Sequence, residues 1–116
     1  MKAARIFSQK TVLKGTSSEG VYLKVAVRIE VFKIPEAKAK EFPDGYKVSM
    51  IAFREDFPDR RVLLDCHPPK GPHVHVGRAE VKFEWQGLDH AYNYFWSLVE
   101  AEFGVLEEVV DEDSDV

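Results

Sequence analysis

Most of the residues that could do chemistry lie in one segment, residues 65–78. The segment holds three of the four histidines of the chain, two cations, a carboxylate and the only cysteine. These residues are His67, His73, His75, Lys70, Arg78, Asp65 and Cys66. Imidazole titrates near neutral pH and can either accept or donate a proton. Proline and glycine stiffen the loop around these groups, which suits a preorganised site.

One chemistry for this segment is metal-independent cleavage of RNA. In an extended strand His73 and His75 point to the same side, because side chains repeat every second residue. Attack by the 2′-hydroxyl of RNA needs one group to take its proton and another to protonate the leaving oxygen, and two histidines can share these tasks. We therefore predict His73, His75 and Asp65 as catalytic residues. Asp65 would orient a histidine, or it could equally cap the turn that follows. The predicted substrate-binding residues, which would contact phosphate, are Lys70, Arg78 and His67.

Two other interpretations of the segment stay open. His67, His73 and His75 could furnish three ligands for zinc or a similar divalent transition metal. The His-x-His spacing is weak evidence for this, since no Cys-x-x-Cys or His-Glu-x-x-His pattern accompanies it. The third interpretation is a non-catalytic interaction domain whose histidines are structural. His90, near the predicted helix start, is interpreted as structural in any case, and Cys66 as a small buried apolar group because it is in strand phase with Leu64.

The elements that must position this segment are readable from periodicity. Residues 21–34 alternate between apolar and other side chains and predict a long strand that pairs in a hairpin with residues 5–13. Residues 46–54, 61–66 and 73–85 predict three more strands, with a turn at 56–59 and a short helical turn within 36–42. The period then changes to 3.6 and predicts a helix over 88–103, capped by Gly87 and Gly104. The expected fold class is α+β: one two-layer domain, a curved antiparallel sheet of about five strands packed on one C-terminal helix.

Acidic residues are concentrated at the C-terminal end. The formal net charge is −4, yet eight of the 20 acidic residues lie in residues 100–116, which contain no Lys or Arg. The remainder therefore carries 16 basic and 12 acidic groups. We predict a domain over 1–104 and a flexible acidic tail over 105–116, which is either a solvated terminus or a competitor for phosphate at a basic groove.

Composition also bounds the environment. No apolar run approaches the ~20 residues that cross a bilayer, and the first residues lack the apolar stretch of a signal peptide. A single cysteine excludes an internal disulfide. These features predict a cytoplasmic protein with no membrane partner.

The chemical segment and its surroundings resemble the TumE-like toxins of bacterial and archaeal toxin–antitoxin systems. The shared pattern is an Asp, a short loop and Lys-Gly-x-His-x-His-x-Gly, preceded by a Gly-Tyr-Lys strand and followed by an aromatic strand and a helix. The matching residues are Gly45, Tyr46, Lys47, Asp65, Lys70, Gly71, His73, His75, Gly77, Phe83, Phe95, Trp96, Val99 and Glu100. The chain departs from the family at Cys66 and Pro72, where members commonly carry Asn and an acidic residue.

The resemblance implies a toxin that is neutralised by a separately encoded antitoxin, often a DNA-binding protein. The ribonuclease prediction comes instead from the residue chemistry and from an analogy with other small α+β toxins that attack RNA. The expected partners are accordingly a cognate antitoxin and RNA. An exposed edge at the N-terminal strand would also permit a homodimer through sheet extension.

Overall fold

The computed structural model describes residues 3–16, 19–67 and 71–108, with the backbone alone described for His67 and Glu108. Seven strands and two helices follow one another along these residues. The strands are β1 (Ala4–Thr16), β2 (Tyr22–Lys33), β3 (Tyr46–Arg54), β4 (Phe57–His67), β5 (Gly71–Val76), β6 (Ala79–Val81) and β7 (Glu107–Glu108). The helices are α1 (Glu36–Ala39) and α2 (Leu88–Phe103), and a 3-10 turn covers Pro43–Gly45.

The strands form one antiparallel sheet in the order β6-β5-β4-β3-β2-β1-β7. The first six are sequential neighbours, as antiparallel pairing of consecutive strands favours, and α1 and the 3-10 turn lie in the connection between β2 and β3. After α2, the chain returns to the far edge, where Glu107 and Glu108 pair with Lys14 and Leu13 of β1. The predicted α+β class is confirmed, with more strands than the five expected.

The core lies between one face of the sheet and α2. Alternate residues of β2, from Leu23 to Val31, are buried on this face. The helix contributes a stripe of buried residues spaced four apart, namely Ala91, Phe95, Val99 and Phe103. Burying a large apolar side chain contributes about 1.5–3 kcal/mol, so this shared face holds the two layers together. The helix lies at its predicted bounds, and Gly87 and Gly104 flank it as expected.

The opposite side of the sheet, here called the open face, is not covered by α2. Cross-strand register assigns residues to it, because neighbours in register share a face. One row runs through Lys10, Arg28, Ile51, Leu63 and His75. The residues of this row are exposed or half-buried. Neither described helix is long and apolar enough to cross a membrane.

The prediction of one continuous strand over 73–85 was wrong. The chain turns at Gly77 and Arg78, so that β6 folds back on β5 and ends at Val81. Gly77 has φ +60°, a left-handed conformation that favours glycine and permits the tight turn. Phe83 and Trp85, which continue the alternating pattern in the sequence, lie outside the sheet. Phe83 stacks on Tyr94 of α2, with ring centroids 5.2 Å apart.

The predicted turn at 56–59 also differs. Arg54 pairs with Phe57, so the turn is formed by residues 55–56 and the next residues already belong to β4. A register shift follows, and residues 58–60 have no partner in β3. Pro58, which lacks an N–H donor, is tolerated there because no ladder hydrogen bond is required of it.

Candidate functional site

His73 and His75 project from β5 onto the open face. Their cross-strand neighbours on β4 are Asp65 and Leu63, whereas Val74 between them is fully buried on the core side. The two imidazole centroids lie 5.3 Å apart with the rings nearly perpendicular, at 86°. The strand period thus places both rings on one side, as expected from their spacing.

The tautomer of His73 follows from its hydrogen bond to the backbone. Nδ1 lies 2.9 Å from the carbonyl oxygen of Gly71. A carbonyl oxygen can only accept, so Nδ1 donates and carries the proton. Nε2 is then the basic nitrogen of the neutral ring. His73 as a whole residue is only 7% exposed, so packing as well as this bond restricts the orientation of its ring.

Asp65 and Cys66 occupy opposite faces of β4. Asp65 is half-buried on the open face, directly across from His73 in register. Cys66 is fully buried on the core side. Burial, and secondarily the charge of Asp65, raises the pKa of the Cys66 thiol to about 12. Because the thiolate is the nucleophilic form, Cys66 is the inert core residue that the sequence predicted.

His73 lines a pocket at the β5–β6 edge of about 400 Å³. The other lining residues are Pro72, Glu80, Val81, Lys82 and Phe83. A carboxylate and an ammonium group therefore share one cavity with the imidazole. Glu80 is also the cross-strand partner of His75, which brings it to both histidines. Sequence reasoning missed Glu80 and Lys82, since they look like the solvated half of an alternating strand.

The structure describes the three predicted phosphate-binding residues to different extents. Arg78 lies in the β5–β6 turn, 90% exposed, and its Nη2 is 3.4 Å from Oδ2 of Asp59. Arg78 does not line the pocket of His73, and among the side chains that the structure describes Lys82 is the cation there. Lys70 lies outside the described residues. The backbone of His67 pairs with Gly71 at the end of β4, but its side chain is outside the described part of the chain.

The described side chains include no group of three or more His, Cys, Asp or Glu arranged to hold a metal ion. The alternative ligand set of His67, His73 and His75 includes the undescribed side chain of His67.

His90 has a role in packing. Its exposed ring is nearly parallel to those of Phe83 and Tyr94, each 6.2 Å away between centroids. Phe83 in turn lines the His73 pocket, so this aromatic cluster fixes one wall of the pocket against α2.

Comparison with known proteins returned no match, whether to a family model, a curated protein or a solved structure. The chemistry of the site is therefore inferred from the residues that form it.

Proposed function

We propose that this protein is the toxin of a toxin–antitoxin pair, and that it acts in the cytoplasm as a metal-independent endoribonuclease through the His73 pocket. The observation that carries the proposal is a nearly buried histidine of defined tautomer, next to a second histidine and sharing its cavity with a carboxylate and an ammonium group. Acid–base groups and a cation for phosphate are the parts that RNA cleavage without a metal requires.

In the proposed reaction, Nε2 of His73 takes the proton of the 2′-hydroxyl. The 2′-oxygen attacks the adjacent phosphorus, and the bond from phosphorus to the 5′-oxygen breaks. His75 donates a proton to that leaving oxygen. The products are a 2′,3′-cyclic phosphate and a 5′-hydroxyl, so protons and electrons balance without an external reactant.

The neighbouring charges support these two roles. Lys82 is the pocket cation that would contact the phosphate as charge develops on its oxygens. Glu80, opposite His75 in register, would orient the imidazolium form of that ring. Asp65 lies across from His73 and would act as a positioning residue. Each general acid or base typically contributes about 10²–10⁴-fold to the rate.

The direct test is cleavage of a 5′-labelled single-stranded RNA by purified protein in the presence of EDTA. We expect products that end in a 2′,3′-cyclic phosphate, and no cleavage where a 2′-deoxy nucleotide replaces the reacting one. His73→Ala should lower the rate by at least about 10². Glu36→Ala, at an exposed residue of α1 that does not line the pocket, is the control and should cleave as the wild type does.

The toxin assignment has its own test in cells. Expression of the wild type should stop growth, and the His73→Ala/His75→Ala double variant should not. The proposal also predicts an adjacent gene for a small regulator as the antitoxin. Co-expression of that regulator should restore growth, and the regulator should co-purify with the toxin. If His73→Ala abolishes growth inhibition while total RNA and tRNA stay intact under the wild type, the toxin assignment survives and the ribonuclease chemistry is wrong.

A further inference from the structure

A second hollow lies on the open face, towards the opposite side of the sheet from the histidines. It has a volume of about 430 Å³ and is formed by β1, β2 and one residue of β3. Its open-face lining is Val12, Ala26, Phe53, Lys10 and Arg28, and Thr11 and Val27 complete it. Val12, Ala26 and Phe53 are successive cross-strand neighbours and form an apolar floor. Lys10 and Arg28 are the adjacent cross-strand pair and form a cationic rim.

The cations of this region oppose one another across the strands. Lys10 faces Arg28. The next pair on the open face is Val12 and Ala26, and in the pair after that Lys14 faces Lys24. Like charges directly opposite each other destabilise an antiparallel pair, so the fold alone gives no reason for either arrangement. Binding of a polyanion would offset both repulsions.

Two carboxylates reduce this positive charge without cancelling it. Glu30 lies 3.0 Å from Nε of Arg28 and 3.7 Å from Nη1 of Arg5. Glu107 is the β7 neighbour of Lys14. Lys10 is exposed and forms no ion pair with the described side chains. The rim therefore keeps cationic groups that a phosphate can contact.

The hollow is aligned with the proposed catalytic histidines. Lys10 and Arg28 begin the row that crosses the sheet through Ile51 and Leu63 to His75. Four strand spacings of about 4.8 Å separate Lys10 from His75, or roughly 19 Å. An extended single strand that crosses the sheet along this row would contact both places at once.

We propose that this hollow is a subsite for a nucleobase of single-stranded RNA, which stacks on Phe53 while its neighbouring phosphates contact Lys10 and Arg28. Aromatic floors with cationic rims are the usual means of binding single-stranded nucleic acid. The subsite rests on the proposed function, since it holds a part of the substrate several nucleotides from the scissile bond.

The test measures binding separately from cleavage. A fluorescein-labelled oligodeoxythymidylate of about eight nucleotides cannot be cleaved through a 2′-hydroxyl, and its Kd is read by anisotropy against salt concentration. We expect Phe53→Leu to weaken binding about tenfold. Lys10→Gln/Arg28→Gln should weaken it and lower the salt slope by about 1.4, or about 0.7 for each phosphate contact. Lys38→Gln, an exposed lysine on α1, is the control and should bind as the wild type does.

Several outcomes would overturn the subsite. One is equal affinity for an abasic oligonucleotide of the same length, since that would show attraction to phosphate without a base. A second is an equal loss of affinity in Lys38→Gln. A third is displacement of the labelled oligonucleotide by an oligoglutamate peptide that is as effective as unlabelled oligonucleotide at the same concentration. Binding by all variants at wild-type strength, with RNA cleavage intact, would refute the subsite alone. Absence of cleavage by a wild type that binds as expected would refute the ribonuclease alone.

Discussion

At the scale of the residue, the tautomer of His73 depends on a neighbour two positions away. The Gly71 carbonyl oxygen accepts a hydrogen bond from the Nδ1–H of His73, so Nε2 is the nitrogen without a proton in the neutral ring. Orienting one ring nitrogen with a backbone acceptor is a general way to define the working tautomer of a histidine. Glu80 and Lys82 line the same cavity, so a carboxylate and an ammonium group lie at the same pocket as this ring.

Lys82 should affect substrate binding and turnover. A hydrogen bond from a charged group contributes about 1.5–3 kcal/mol, so Lys82→Gln should reduce kcat/KM roughly tenfold to a hundredfold. Steady-state cleavage of a short RNA measures this, and Lys40→Gln on the exposed surface next to α1 is the control. A kcat/KM equal to that of the control would exclude Lys82 from the site.

Cys66 should resist thiol reagents while the protein is folded. Its pKa of about 12 keeps the thiol protonated at pH 8, and the side chain is fully buried. An aromatic disulfide reagent should therefore react only after unfolding in guanidinium chloride. The raised pKa also means that the fold favours the neutral thiol, so stability from this group is complete below pH 9 and is lost as pH rises towards 12. Rapid labelling of the native protein at pH 8 would contradict this placement.

At the scale of the element, the β5–β6 hairpin assembles the pocket. Its turn brings Glu80 opposite His75 and places Lys82 beside His73, so the geometry of the site depends on the left-handed conformation of Gly77. An added Cβ at Gly77 would meet no atom within 4 Å. The requirement for glycine there is therefore one of backbone conformation and not of space.

This distinction predicts different effects for two substitutions at Gly77. Asn adopts positive φ more readily than other non-glycine residues, whereas a β-branched residue strongly resists it. Gly77→Asn should stay within about 1 kcal/mol of the wild type in free energy of unfolding, and Gly77→Val should cost about 1–2 kcal/mol more than Asn. Urea denaturation compares them, and equal destabilisation by both would mean that the turn does not depend on φ.

At the scale of the whole molecule, charge of opposite sign is segregated. The open face carries opposed cations on β1 and β2. Four acidic residues lie within residues 109–116, and their combined charge of −4 equals the formal net charge of the whole chain. Negative charge on the same molecule lowers the affinity for a polyanion through long-range repulsion, whatever conformation the segment adopts.

Deletion of residues 109–116 should therefore tighten binding of single-stranded nucleic acid. We expect a lower Kd at about 0.05 M salt, and convergence with the full chain at about 1 M, where the Debye length is only about 3 Å. Replacing the four acidic side chains by their amides is the matched control and should reproduce the deletion. Persistence of the difference at high salt would point to a specific contact in place of general repulsion.

Local patterns in the sequence determined much of this protein. Alternation with period two located β2 and β3, and the change to period 3.6 located α2 between its two glycines. The same period of two put His73 and His75 on one side of β5, and put Asp65 and Cys66 on opposite sides of β4. These features depend on where side chains point along a single element, which the chain reveals by itself.

Tertiary structure decided which groups meet. Glu80 and Lys82 join His73 only because the chain folds back at Gly77, and Arg78 contacts Asp59 of another strand. The burial of His73 and the row from Lys10 to His75 depend likewise on the register of several strands. Alternation does not reveal where a strand reverses, since both arms of a hairpin can continue the same pattern. Register between distant residues is a property of the assembled sheet. It brings polar residues that are scattered in the sequence together at the candidate site.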